Sequence, residues 1–336
     1  MPKFPYPVYF YVPEWTYARY DGDTRPASGD EPWPGFTIGI HIWTTKTALY
    51  FTSVPNVHLT STLPDHGVII AHNDAGLRGH PNPDRVFFIN VVADREAKAE
   101  ADLNIVQNQV SLTAPNSLFI PHWTQHGITP RAPERGEELK TLSYKGNPQN
   151  LDSRFLSESF RTELKNLGID FLVETDPATW SDYSYVDAFL AVRPGDVDLN
   201  TKPATKLQNC WEAGVIPLLG SEPAYEELRQ GEYDFLLTPD PSDVIYALRR
   251  LRENPAEIGR FLTAGRQRRA AFNDDTILAA WRDMLERHAF PGLALKRHGS
   301  PVHQAWLYHR YPARLMAHNA ISHVRIKAGA WKRRFL

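Results

Sequence analysis

Apolar residues along the chain gather into short continuous runs, and most of those runs end on polar residues. PVYFYV (7–12), VIIA (68–71), RVFFINVVA (85–93) and LNIV (103–106) in the first half have the length and continuity of strands buried on both faces. LKTLSYK, IDFLVE, VDAFLAVR, VIPLL and YDFLLTP do the same in the second half, and VHLTST (57–62) reads as one further short strand. Between them, 153–168, 203–213 and 241–254 carry helical patterning, 36–50 reads as a crossover helix, and 255–289 reads as two helices. Strands alternating with helices predict an α/β protein with parallel sheets. SLFIPHWTQHGITPRAPERG (117–136), with three prolines from Pro121 to Pro133, marks a crossing, which predicts two Rossmann-like domains, 1–135 and 136–289, with 290–336 completing the first. Residues 13–35, rich in turn formers, predict a long loop of the kind that serves as a lid or binding loop.

Ligands of open α/β sheets sit beyond the carboxyl ends of the strands, where helix N-termini point unused N–H groups outward. Lys202 to Tyr225, KPATKLQNCWEAGVIPLLGSEPAY, contains two such places. Pro203 suits the first position of a helix that ends at Gly214, and Thr205 and Lys206 fall in its first turn. A lysine there opposes the helix dipole yet suits an anionic ligand held by it, so a phosphate is expected; the alternative is that Lys202 and Lys206 are solvated surface lysines. Ser221 and Glu222 follow the next strand, where Glu222 could equally serve as a helix cap. Gly146 ends the strand LKTLSYK, where a missing Cβ lets backbone N–H groups approach a pyrophosphate, and Asn147 follows it. Arg193 ends another buried strand and offers a second cation; its alternative is a loop-surface arginine. In the first half His72, Asn73 and Asp74 close the run VIIA. Asp74 and His72 are the candidate general base, with Asp94 behind them, although His72 could simply satisfy a core hydrogen bond.

Composition narrows the class. Hydrophobic residues make up 42% of 336, enough for packed cores, while a mean hydropathy of −0.43 and the lack of a long apolar run argue against a membrane span. A single cysteine, Cys210, excludes an internal disulfide and a cysteine metal cage, and fits a reducing cytoplasm. The histidines 41, 58, 122 and 126 make no HExxH arrangement, so no metal is expected. No GxGxxG follows a first strand, so a dinucleotide oxidoreductase is not indicated. Residues 287–336 hold ten Lys or Arg and no acid, leaving 27 basic and all 39 acidic residues in the body. In that tail Ile321, Val324, Ala328, Trp331 and Phe335 share one helical face flanked by Arg325, Lys327 and Lys332. A basic amphipathic helix over 315–336 suits an anionic membrane surface, or it packs on the acidic first domain. Nucleic acid is not expected against an acidic body.

The segment KPATKLQNCWEAGVIPLLGSEPAYEEL resembles the donor-binding segment of GT-B-fold bacterial glycosyltransferases. The resemblance extends through DHGVIIAHND, NIVQNQ, IPHWTQHGITPR, LSYKGNPQNL and YSYVDAFLAVR, most of residues 35–285. It implies a GT-B-like enzyme with two Rossmann-like domains facing a central cleft and C-terminal helices crossing back to the first. The 1–135 half would be the acceptor domain and 136–289 the nucleotide-sugar donor domain. Donor contacts are implied at Gly146, Asn147, Arg193, Lys202, Thr205, Lys206, Asn209, Ser221, Glu222 and Tyr225. Many retaining members carry two glutamates eight apart where this chain has Thr201 and Asn209, so that guide to stereochemistry is lost. The implied activity is metal-independent transfer of a sugar from a nucleotide-diphosphate donor, a co-substrate rather than a cofactor, to a glycan or lipid-linked acceptor. The implied place is the cytoplasm or the inner membrane face. Competing readings are a nucleotide-sugar epimerase of the same architecture and a noncatalytic nucleotide-sugar or glycan-binding protein.

Overall fold

A computed structural model describes residues 3–17, 29, 33–77 and 80–298. The amphipathic tail 315–336 and most of the 13–35 loop lie outside the described residues. Within them the chain forms two parallel sheets. The first comprises β1 (Val8–Tyr11), β2 (Val57–Thr60), β3 (Gly67–His72), β4 (Val86–Val91), β5 (Leu103–Val106) and β6 (Ser117–Phe119), in the order β2-β1-β3-β4-β5-β6. The second comprises β7 (Thr141–Lys145), β8 (Asp170–Glu174), β9 (Ala188–Ala191), β10 (Ile216–Leu219) and the two-residue β11 (Leu236–Leu237), in the order β11-β10-β9-β7-β8. Every residue of β3, β4, β5, β9 and β10 is buried, as the continuous apolar runs require of strands covered on both faces.

Short α1 (Glu14–Tyr17) follows β1, and the expected helix at 36–50 forms as a 3₁₀ turn, a π-helical turn at His41–Thr45 and α2 (Lys46–Tyr50). Thr47 Oγ1 bonds back to Trp43 O at 2.7 Å and Thr45 Oγ1 pairs with His41 Nδ1 at 2.9 Å, local bonds that loosen the regular ladder. In the second unit α3 (Glu158–Asn166) covers one face of the sheet, while α4 (Thr205–Ala213) and α5 (Pro223–Leu228) cover the other. Pro203 is not the first residue of α4, which opens at Thr205. Its first backbone bond runs from Gln208 N to Ala204 O at 3.0 Å, and Ala204 stands outside helical geometry at φ −75° and ψ 15°. Gly214 closes α4 in the left-handed conformation at φ 69°.

Helices α6 (Pro241–Glu253) and α7 (Ala256–Arg269) complete the second unit; α8 (Asp274–Met284) and α9 (Phe290–His298) leave it. Ile277, Trp281, Met284, Leu285, Phe290 and Leu293 bury themselves in the core built by β1, β3, β4 and the 41–51 helix. The return of the C-terminal helices to the first unit therefore starts at Asp274. Lys296 anchors it, donating to Val86 O at 2.8 Å and Asp102 Oδ2 at 2.6 Å. β6 falls inside the stretch that the prolines had marked as crossing; three residues between a turn and a proline carry too little pattern to be read alone.

The crossing segment is pinned by one carboxylate. Asp187, 1% exposed at the head of β9, accepts from Arg131 Nε at 3.1 Å, Arg135 Nε at 2.7 Å, and the amides of Lys140 and Thr141 at 2.8 and 2.9 Å. Burial works to raise its pKa, but Arg135 and the amides hold it below the usual carboxylate value. Asp187→Ala leaves two guanidiniums with no counter-charge and should cost about 3–5 kcal/mol, read as a lower urea midpoint. The gap to wild type should close as pH falls from about 4 through the lower folded pKa, because the carboxylate of the unfolded chain takes up its proton first.

Candidate functional site

Each sheet reverses its strand order once, and a crevice opens at the carboxyl ends of the two strands where that happens. In the second sheet these are β7 and β9. Beyond β7 the chain turns at Gly146, whose φ of +146° is a region L side chains rarely adopt. A Cβ there would stand 3.1 Å from the Tyr144 hydroxyl and 3.2 Å from Lys206 Nζ. Lys206 reaches this place from the first turn of α4, donating to Lys145 O at 2.7 Å with its ammonium over the rings of Tyr144 and Phe189. Burial, reinforced by the charge of Arg193, lowers its pKa to about 8. Gly146 and Lys206 thus share one corner of the crevice.

Beyond β9, Arg193 faces Glu222 from the end of β10, with Nε 3.2 Å from Oε1. Glu222 is 1% exposed; burial raises its pKa while Arg193 and Lys206 pull it down. Its Oε1 makes no hydrogen bond, nor does the buried Oγ1 of Thr205 beside Lys206. Tyr225 is fully buried, its phenol pushed up by burial and by Glu222. Gly146, Arg193, Thr205, Lys206, Glu222 and Tyr225 therefore form one constellation: the Arg193–Glu222 ion pair, the Lys206 ammonium, an α-helix mouth, and a Thr205 hydroxyl with no hydrogen-bond partner.

Four other candidates sit elsewhere. Asn147 is exposed and caps the following turn, its Oδ1 accepting from Gln149 N at 3.2 Å. Ser221 is exposed at the rim. Asn209, 4% exposed, gives its Nδ2 to Gln125 Oε1 at 2.8 Å and accepts from Gln125 N at 3.3 Å, so its amide joins α4 to the crossing segment instead of facing the crevice. Lys202 spends its ammonium on Asp94 Oδ2 at 2.9 Å, across the gap between the units. Both residues are turned away by partners distant in sequence.

In the first sheet the reversal lies between β1 and β3, and β3 ends at His72. Its ring is 2% exposed, and burial lowers its pKa to about 4 against the pull of Asp74. The Asp74 amide donates to Nδ1 at 3.1 Å, which leaves the proton of the neutral ring on Nε2. Nε2 has no hydrogen-bond partner and points toward Gly39, whose Cβ would lie 3.1 Å away. Such a ring donates a hydrogen bond; it does not take a proton at neutral pH. Asp74 is gripped by Arg95 through Nε at 2.9 Å and Nη2 at 3.2 Å. The two candidate bases thus stand together at the end of β3, the ring with its proton on Nε2 and the carboxylate beside Arg95. Asp94 lies nearer the gap; burial works to raise its pKa, but Lys202 and Gln107 hold it low.

The sequence reading missed the residues that join the two units. Gln107 and Asn108 at the end of β5 donate to carbonyls at the base of α4, and Glu227 of α5 accepts from the amides of Gln109 and Val110. Polar residues closing an apolar strand were the available signal; their partners lie about ninety or more positions away. Behind α4 a cavity of about 310 Å³ is lined by Lys46, Thr124, Gln125, Glu212 and Asp274. Among the described residues no group of three His, Cys, Asp or Glu gathers as a metal site, and no helix is long and apolar enough to cross a membrane.

No protein-family model matches the chain, and no curated protein matches it in sequence. Solved structures do. Anabaena HepE in complex with UDP-glucose is 11% identical with a TM-score of 0.50, over 84% of this chain and 100% of that one. The chain has the GT-B fold. TarM is 10% identical with a TM-score of 0.49 over 71% of this chain, which spans 57% of TarM's length. Sucrose-phosphate synthase from Thermosynechococcus elongatus is 15% identical with a TM-score of 0.45, over 67% of this chain and 74% of that one. In this GT-B chain the two reversal points face the gap bridged by Lys202 and Asp94.

Two histidines bear on stability. His122, whose Nδ1 pairs with Trp123 O at 2.6 Å, is also held at a pKa of about 4 by burial. A group with a depressed folded pKa lets the unfolded chain bind more protons once pH drops below its ordinary value near 6.5. Stability should therefore fall as pH is lowered from about 6.5 to about 4, with roughly two protons taken up on unfolding. Urea titrations at stepped pH measure this, and His72→Gln should remove about one of the two protons.

Proposed function

We propose that the protein transfers a sugar from a nucleotide-diphosphate donor to a hydroxyl of a glycan or lipid-linked acceptor. The observation that carries this reading is the corner where Gly146 and Lys206 meet, with Arg193 beside it. Breaking the anomeric bond leaves negative charge on the departing diphosphate, and preorganised cations and helix-mouth N–H groups in a low-dielectric crevice stabilise that charge. Lys206 and Arg193 supply the cations, α4 the helix mouth, Gly146 the backbone approach, and Thr205 a hydroxyl. Glu222 and Tyr225 lie where sugar hydroxyls or the nucleotide would reach unspent hydrogen-bonding atoms. On the acceptor half, His72 offers an Nε2–H to a substrate oxygen, and Asp74 acts through the amide that sets its tautomer. No residue is assigned as the base.

HepE was solved with UDP-glucose and TarM with UDP, which makes UDP the first donor nucleotide to test. Calorimetry should show UDP or another nucleoside diphosphate binding, and Lys206→Ala should weaken it about tenfold or more while binding of the bare nucleoside stays within about twofold, as loss of one phosphate contact predicts. Equal losses for both ligands would remove the phosphate role. Affinity for the diphosphate should also hold steady below pH 8 and weaken above it, as the free ammonium gives up its proton. Release of free nucleotide only when an acceptor is present would separate transfer from epimerisation and from binding alone.

A further inference from the structure

Asn108 stands at the N-terminal boundary of the short 3₁₀ turn Gln109–Ser111, where an asparagine ordinarily turns its side chain inward to cap the free amides. It makes no such cap. Its carboxamide, in a residue 2% exposed, crosses to the other unit and gives both Nδ2 protons away, to Asn200 O and Lys202 O, each at 2.9 Å. The cap it gives up is replaced from the far side, where the Glu227 carboxylate accepts from Gln109 N at 2.6 Å and from Val110 N. Gln107 takes the carbonyl in between, donating to Thr201 O at 2.8 Å, and Ser111 Oγ adds a bond to Asn200 O at 3.0 Å. Three consecutive carbonyls, at 200, 201 and 202, are thus held by one loop of the first unit.

Those carbonyls belong to the turn that leads straight into Pro203, Ala204 and the first turn of α4 with Thr205 and Lys206. A proline locks the connection, so a shift of the turn is passed on to the helix mouth. We propose that Asn108 is a positioning residue for sugar transfer: by bridging the carbonyls of Asn200 and Lys202 it makes the cradle at the mouth of α4 complete only when the two domains are closed. This rests on the donor reading proposed above. An amide is the group that does this, since it presents two N–H donors from one atom, while its own buried oxygen makes no hydrogen bond. The exchange of caps makes the junction a two-way latch, because opening the domains strands donors on one side and acceptors on the other.

Asn108→Asp keeps the shape and sets a carboxylate against two carbonyls. Measured by calorimetry and small-angle scattering beside the wild type, it should bind UDP about tenfold more weakly, a coupling of the usual size between closure and binding, with uridine binding changed less than about twofold. Its radius of gyration with UDP present should stay at the larger, open value, while that of the wild type contracts. In a transfer assay KM for the donor should rise more than kcat falls, and Asn108→Gln, which keeps the two N–H donors on a longer arm, should recover part of the loss. Should Asn108→Asp fail to fold, Glu227→Gln, which weakens the latch from the far side, replaces it with the same expected direction. Wild-type UDP affinity and wild-type contraction in the variants, or equal losses for UDP and uridine, would overturn this inference alone; a wild type that binds no nucleoside diphosphate would overturn the donor reading and this inference with it.

Discussion

An ammonium held against a carbonyl and two aromatic faces, with little water, is the interaction around which this protein is arranged. Lys206 lies 2.7 Å from Lys145 O because the connection after β7 leaves one face of its sheet for α3, while the connection after β9 leaves the other for α4. The strands part at that point, and the helix mouth drops into the opening. The glycine at 146 follows from the same geometry, since a side chain there would fill the space the ammonium occupies. A half-buried lysine without a carboxylate in contact is held less comfortably charged than one in water, in line with its pKa lowered to about 8.

The partner crevice is built with opposite logic. Where the second unit collects cations and unspent oxygens, the first offers a neutral imidazole with a fixed tautomer. Burial keeps the proton count of His72 constant across the physiological range, and the Asp74 amide decides which nitrogen carries the proton. A ring so prepared presents a hydrogen-bond donor with no partner of its own. One crevice is thus suited to charge that develops during a reaction, the other to alignment before it.

Between the two lies a junction of hydrogen bonds, two of them to the Glu227 carboxylate, with the ion pair of Lys202 and Asp94 beside them. Exposed ion pairs contribute little, so the weight falls on the amides of Gln107 and Asn108 and the carboxylate of Glu227. Such bonds are individually modest and directional. The permanent connection is apolar and lies elsewhere: Trp281 and Phe290 pack on Phe10 and Phe4 of the first unit.

The strands were legible because a strand buried on both faces has to be apolar throughout, and the polar residues ending each run marked the ligand side of both sheets. Gly146, Arg193, Thr205, Lys206, Glu222 and Tyr225 came into view in that way, each from local pattern and chain direction. What no local pattern contains is which side of a residue meets which distant neighbour. Asn209 and Lys202 look like ligand contacts until Gln125 and Asp94 take them, and His72 looks like a base until an amide two residues on fixes its proton. Pro203 looks like the start of α4 until the non-helical backbone of Ala204 delays it. Burial periodicity belongs to a segment and travels with its sequence; hydrogen-bond partnership and proton position belong to pairs and clusters, and only the packed chain decides them.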